Sequence, residues 1–139
     1  GGNMRVGAKE IEVKPGSLLS RLYGGATRTT LRFRHRYEVD PRYVKMLTEH
    51  GLIFSGQHPT QPIMQMLELP QELHPYFVGT QAHPCLTSRP LSPDGMFMGL
   101  VAAALERAYP QGTLDGVGGE MRGAGDASRE PAHTLASVK

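Results

Sequence analysis

The sequence predicts an α/β fold, and two kinds of periodicity indicate it. Short apolar or alternating runs predict the strands of a sheet, at about residues 10–13, 29–40, 52–55, 63–69 and 75–79. Stretches with the 3.6-residue period predict three helices, at about residues 17–23, 41–50 and 93–108. With 139 residues, 39% of them hydrophobic, the chain is long enough for one domain with a modest core.

The first two helices have recognisable beginnings and ends. Ser17 is a good N-cap for the first, and Gly24 follows its last turn. Asp40 and Pro41 supply the N-cap and first position of the second helix, which Gly51 ends. Residues 1–7 are predicted to form a glycine-bounded loop before the first strand.

The third helix carries a continuous apolar stripe. Ser92 and Pro93 are predicted to begin it. Its stripe consists of Met96, Phe97, Leu100, Val101, Ala104, Leu105 and Ala108. Such a stripe predicts packing against the core, and a methionine-rich partner groove is the alternative. Residues 111–139, rich in small and polar residues without periodicity, are predicted to be a disordered tail.

Composition argues against several classes of function. The net charge of +2 is too small to imply a nucleic-acid or membrane partner, and no apolar run approaches the length of a membrane span. Six histidines at spacings unlike those of zinc ligands predict no metal site, and no cofactor motif is found. A single cysteine excludes an internal disulfide and fits a cytoplasmic location.

Residues 29–40 alternate cationic and apolar side chains. In an extended strand, Arg32, Arg34 and Arg36 lie on one face, opposite Phe33 and its apolar neighbours. One interpretation is a solvated edge strand that resists aggregation. The other is an anion site, since a guanidinium group binds a carboxylate through two parallel hydrogen bonds.

His83 is the second candidate site residue. It follows the apolar run 75–79, and Pro84 prevents the strand from continuing. Ligands tend to collect at strand ends in α/β domains, so this histidine is a candidate for acid–base chemistry. A histidine that only satisfies a local hydrogen bond is the simpler interpretation.

Several blocks of the sequence resemble one family in the same order. They are residues 2–7 (GNMRVG), 34–39 (RHRYEV), 51–52 with 55–56, 74–78 (HPYFV) and 78–90 (VGTQAHPCLTSRP). Together they resemble the class I glutamine amidotransferases, most closely the C-terminal glutaminase domain of CTP synthases. The resemblance implies a partial, flavodoxin-like domain at residues 1–110, corresponding to the second half of the family's domain.

The resemblance also implies roles for particular residues. His83 matches the family's catalytic histidine, and Arg36 its glutamine-carboxylate arginine, with Tyr37 and Arg34 as further substrate-binding candidates. In the family, the residue two after the histidine is a glutamate that orients the ring, and here that position is Cys85. The family's nucleophilic cysteine lies in a glycine-rich elbow upstream of the block that residues 1–7 resemble.

Two functions therefore stay open. The first is a fragment of a CTP synthase-like amidotransferase, which hydrolyses L-glutamine to supply ammonia for pyrimidine nucleotide synthesis. It would need a missing N-terminal half and a synthase domain as partners, and this chain alone would be inactive. The second is a non-catalytic interaction module or remnant, with Cys85 as an inert or redox-active thiol. Uncovered apolar surface predicts self-association in either case.

Overall fold

The computed structural model describes residues 3–110, which form a five-stranded antiparallel sheet with three α-helices. The elements in chain order are β1 (Arg5–Val13), α1 (Leu18–Leu22), β2 (Arg28–His35), α2 (Pro41–Glu49), β3 (Ile53–Gln57), β4 (Met64–Glu68), β5 (Val78–Thr80) and α3 (Gly95–Ala108). A short 3₁₀ helix, Pro84–Leu86, lies between β5 and α3. The predicted α/β class is confirmed, and the predicted disordered tail lies outside the described residues.

The sheet curls so that its two edges approach each other. Its strand order is β2-β1-β3-β4-β5, which leaves β2 and β5 at the edges. Beyond β5, however, Ala82 makes a bridge with Phe33 of β2, and the His83 amide donates to the Arg32 carbonyl at 2.8 Å. The segment before the 3₁₀ helix therefore runs along the edge of β2.

The core lies on one side of the sheet, beneath α1 and α3. Its buried members are Ile11, Val13, Leu19, Leu31, Phe33, Met66, Ala82 and Met96. Burying each large aliphatic or aromatic side chain contributes roughly 1.5–3 kcal/mol relative to leaving it in water. The predicted alternation of β2 is confirmed between residues 31 and 34, since Leu31 and Phe33 are buried and both arginines are exposed.

Three strand predictions are wrong at their boundaries. β2 ends at His35, so residues 36–40 form a connection rather than more strand. β1 already begins at Arg5, where a loop was predicted, and it accommodates Gly7 at a positive φ of 86°. β5 begins only at Val78, because residues 71–73 and 75–76 form turns, and it is partly rather than fully buried.

Glu68 links the sheet to α1. Its side chain is 3% exposed, and its two carboxylate oxygens accept from the amides of Leu18 and Leu19 at 2.7 and 3.0 Å. These first-turn amides have no partner within the helix, so the carboxylate satisfies them. Ser17 is the N-cap as predicted, and accepts from the Ser20 amide at 3.0 Å.

The third helix departs most from expectation. Its N-cap is Asp94, which accepts from the Met96 amide at 2.9 Å, because Ser92 is still held in a bridge with Arg89. The predicted burial of its apolar stripe is wrong, since Met96 is the one buried residue of the helix. The exposed members are Phe97 (42%), Leu100 (54%), Val101 (52%) and Leu105 (42%).

Close contact holds the opposite face of α3. A Cβ atom added to Gly99 would lie 2.7 Å from Cε2 of Tyr76, so glycine permits this approach. The Tyr76 hydroxyl donates to the Met96 carbonyl, and the Tyr23 hydroxyl donates to Asp94 at 3.2 Å. These contacts fix the beginning of α3 and leave the apolar face uncovered.

Candidate functional site

The segments that carry the predicted site residues lie along one edge, where the chain after β5 runs beside β2. The backbone of His83 is bonded to Arg32, and the Gln81 side chain donates to the Tyr37 carbonyl at 3.4 Å. Two segments far apart in sequence, residues 81–83 and the connection 36–40, are thereby brought together. The histidine and the arginine-bearing connection belong to one region of the molecule.

His83 stands at the entrance to the 3₁₀ helix, in the N-cap position. Its side chain is partly exposed, and its ring makes no hydrogen bond within residues 3–110. The local hydrogen bond of the simpler interpretation is therefore not found in the described part of the chain. A ring free at a partly exposed position can exchange protons with a bound substrate.

Cys85 lies inside the 3₁₀ helix and is exposed. In an extended chain Cys85 would share a face with His83, because alternate side chains point the same way. A 3₁₀ helix turns by about 120° per residue, so residues two apart diverge. Proline at the first position of this helix accounts for the change of conformation, since its fixed φ suits a helical turn.

Arg36 and Tyr37 lie just beyond the end of β2. Both are exposed, Tyr37 at 80%, and the Arg36 guanidinium has no ion-pair or hydrogen-bond partner among residues 3–110. Arg36 is therefore available to an anion from solution. The predicted strand face shared with Arg32 and Arg34 does not extend to Arg36, because the chain bends at residue 36.

Glu38 anchors this connection, although the sequence analysis did not single it out. Its Oε1 accepts from Nε of Arg5 at 2.6 Å, and its Oε2 lies 2.9 Å from Nε2 of His35 in an orientation that makes no hydrogen bond. The contact with His35 is an ion pair only when the imidazole is protonated. Glu38 is the one acidic residue among the basic side chains of residues 29–39. That isolation was a signal that it could balance neighbouring charge.

Arg34 faces a groove rather than the connection. The groove has a volume of about 380 Å³ and is lined by Arg34, Arg32, Met4, Val6 and Leu86, with parts of Gly7 and Phe33. A larger one, of about 420 Å³, lies around Ser55 and Thr27 and contains none of the predicted site residues. Volume alone therefore does not identify the site.

Two further observations bear on function. Within the described range of the chain, no group of three or more metal-binding side chains is arranged to hold an ion. None of the helices formed by those residues is long and apolar enough to span a bilayer.

Comparisons with known proteins identify the family of the chain. The family model for glutamine amidotransferase class-I matches residues 1–103. The CTP synthase of Thermobifida fusca is 45% identical over 116 residues, covering 84% of this chain and 21% of that protein. The CTP synthase of Methanopyrus kandleri is 53% identical over 104 residues, covering 75% and 19%.

A solved structure shows the same relation in three dimensions. The Trypanosoma brucei CTPS glutaminase domain with bound acivicin superimposes with a TM-score of 0.69 at 28% identity, over 76% of this chain and 41% of that one. The chain spans about a fifth of the length of the curated relatives it matches. It belongs to the class I glutamine amidotransferase family, and within that family it resembles the glutaminase domain of CTP synthases.

Proposed function

We propose that this chain is the histidine- and arginine-bearing part of a CTP synthase-type glutaminase domain. Its substrate is L-glutamine, and the ammonia released passes to a synthase domain. The observation that carries the proposal is the pairing of residues 81–83 with β2, which brings His83 to the same edge as the Arg36 connection. The pyrimidine-nucleotide product follows from the similarity to CTP synthases.

Arg36 binds the α-carboxylate of glutamine in this proposal. It is exposed and has no partner within the described residues, and a guanidinium matches a carboxylate through two parallel hydrogen bonds. Tyr37 borders the same position. Arg34 adds positive charge from the neighbouring groove and attracts the anion without contacting it.

His83 serves as general acid and base. That role needs a nucleophile within hydrogen-bond reach and a third group that orients the imidazole ring. The single cysteine of the sequence, Cys85, occupies the position of the family's orienting glutamate. We therefore propose that the 139-residue chain does not hydrolyse glutamine unless a nucleophile-bearing partner completes it and the orienting group is restored.

Ammonia release from L-glutamine tests this proposal directly. The purified chain is expected to release no more ammonia than its His83→Ala variant, because neither has a nucleophile paired with an oriented histidine. Release by the wild-type chain that disappears in His83→Ala would show that the chain is catalytic by itself. In that case, ammonia release by an Arg36→Ala variant would show whether the activity depends on the contact between Arg36 and the glutamine carboxylate.

A non-catalytic module with a reactive thiol is the second candidate, and the exposure of Cys85 favours it. Exposed thiols react with alkylating reagents in the native state, whereas buried ones require denaturant. Complete alkylation of the folded chain is expected. If Cys85 reacts only after denaturation, the redox role is excluded.

A further inference from the structure

We propose that Glu38 is a positioning residue, which holds the connection 36–40 so that Arg36 is presented to the substrate carboxylate. This inference rests on the proposed function of Arg36 as a glutamine ligand. Glu38 does not itself contact substrate. It acts through the backbone that it ties down two residues away.

The anchor spans the antiparallel pair formed by β1 and β2. Arg5 and His35 are register partners at the open end of the β1–β2 pair. Glu38 reaches back across both, with one oxygen 2.6 Å from Arg5 and the other 2.9 Å from His35. The connection is thus folded back onto the strand end that precedes it.

Burial makes this anchor firmer than an ordinary surface ion pair. The side chains of Arg5, Glu38 and His35 are 17%, 26% and 11% exposed. Solvent screening is reduced at such positions, so the attraction between the Arg5 guanidinium and the Glu38 carboxylate is stronger than at the surface. Phe33 supports the arrangement, since its ring lies edge-on to that of His35 at 5.5 Å.

Two further tethers act on the same connection. The Tyr37 carbonyl accepts from the Gln81 side chain at 3.4 Å, and Asp40 caps α2 by accepting from the Arg42 amide at 3.0 Å. Tyr37 and Glu38 are therefore tied to distant parts of the chain, and Asp40 to the beginning of α2. Arg36 lies at the start of this restrained segment and keeps its own guanidinium unpaired among the described residues.

The partner of the Glu38 carboxylate also determines whether the Arg36 guanidinium is left without a counter-charge. A carboxylate two residues from Arg36 could pair with that guanidinium and occupy the site. Because Arg5 holds Oε1 of Glu38 and Oε2 lies against His35, the Glu38 carboxylate is turned away from Arg36, which remains open to an external anion. Loss of the anchor would both loosen the connection and release a competing carboxylate, whereas Glu38→Gln removes the competitor and tests the anchor alone.

The test is a nuclear magnetic resonance titration of the full 139-residue chain with L-glutamine. The Nε–Hε signal of Arg36, assigned by its absence in Arg36→Lys, reports both binding and local order. In Glu38→Gln, we expect the dissociation constant for glutamine to rise about tenfold, as when one side chain must be ordered on binding. The heteronuclear NOE of Arg36 should fall, while that of Arg34 should not.

Matched variants separate positioning from folding. Glu49→Gln removes an exposed carboxylate that pairs only with Lys45, at 3.8 Å, and should leave binding unchanged. Arg5→Met should weaken glutamine binding at least as much as Glu38→Gln, because it also frees the Glu38 carboxylate to pair with Arg36. Arg5→Lys should restore part of the affinity because it keeps the charge. If Glu38→Gln fails to fold, the comparison of Arg5→Met with Arg5→Lys provides the test instead.

The outcomes distinguish a failure of the positioning role of Glu38 from a failure of the proposed role of Arg36. If glutamine does not shift the Arg36 signal of the wild-type chain, the proposed role of Arg36 fails and the inference falls with it. If the wild type binds, but Glu38→Gln or Arg5→Met binds equally well with unchanged Arg36 order, only the inference is overturned.

Discussion

Gln65 is a buried polar side chain with unmet hydrogen-bonding capacity. It is 1% exposed, and neither of its amide atoms has a partner within residues 3–110. Since an unpaired buried polar group costs roughly 1–3 kcal/mol, Gln65→Leu should raise the free energy of unfolding by about that amount. Urea unfolding followed by circular dichroism measures the change.

A second glutamine supplies the control for this substitution. Gln57 is exposed at the end of β3, so Gln57→Leu should change the free energy of unfolding by less than about 0.5 kcal/mol. A destabilised Gln65→Leu variant would mean that the amide is satisfied in solution.

For individual residues of β2, the alternation of cationic and apolar side chains predicted which of them lie on each face, but not where the strand ends. Arg32 and Arg34 lie opposite the buried Phe33, as the period of two requires. The bend at Arg36 is followed by Glu38, which contacts Arg5, 33 residues away from it. No local pattern contains that contact, so the sequence could indicate Arg36 as an anion ligand without indicating what holds it.

Among the secondary-structure elements, the beginning of α3 carries a pH-sensitive contact. Burial, followed by the charge of Asp94 and the hydrogen bond to it, raises the pKa of Tyr23 well above its ordinary value of 10.0. The raised pKa means that the folded state favours neutral Tyr23. This contribution is fully present below about pH 10 and is lost as pH rises from there toward the pKa of the folded state.

We therefore expect the stability of the chain to fall as pH rises above about 10, and to fall less steeply in Tyr23→Phe. Burial also raises the pKa of Tyr76, so Tyr76→Phe should reduce the slope further. Urea unfolding at a series of alkaline pH values measures both. The exposed Tyr43→Phe is the control, and a Tyr23→Phe slope equal to the wild-type slope would contradict the assignment.

Helix prediction succeeded where local chemistry decides the outcome and failed where packing does. Asp40 and Pro41 begin α2 as expected, because capping involves only neighbouring residues. Periodicity found α3, but it could not tell which element covers the apolar face. In the described structure that face has no cover, and the helix is held instead through Gly99 and the two tyrosines.

For the molecule as a whole, the uncovered face of α3 predicts self-association. Phe97, Leu100, Val101 and Leu105 are each at least 42% exposed on one side of the helix. Contiguous apolar surface of this kind favours burial against another molecule. Sedimentation velocity over a wide range of concentrations should therefore show species larger than the monomer.

Charge placed on this face should prevent the association. Leu100→Glu combined with Leu105→Glu should sediment as a monomer, whereas Ala102→Glu, exposed on a different side of α3, should behave as wild type. A wild-type chain that stays monomeric at high concentration would show that the face needs no partner.

We propose that the chain carries the glutamine-binding and histidine-bearing part of a CTP synthase-type glutaminase and that Cys85 disables it. The most direct measurement is CTP formation by a chimera in which residues 1–103 replace the matching segment of the Thermobifida fusca enzyme. Ammonia and glutamine are supplied in separate assays. The ammonia-dependent rate reports whether the synthase remains intact.

We expect the chimera to use ammonia normally and glutamine poorly, since loss of the orienting carboxylate costs on the order of 10⁴ in rate in serine-protease triads. Cys85→Glu should restore glutamine-dependent synthesis, and adding Arg36→Ala to it should remove that activity again. Efficient use of glutamine with Cys85 in place, or no recovery in Cys85→Glu while ammonia is still used, would contradict the claim.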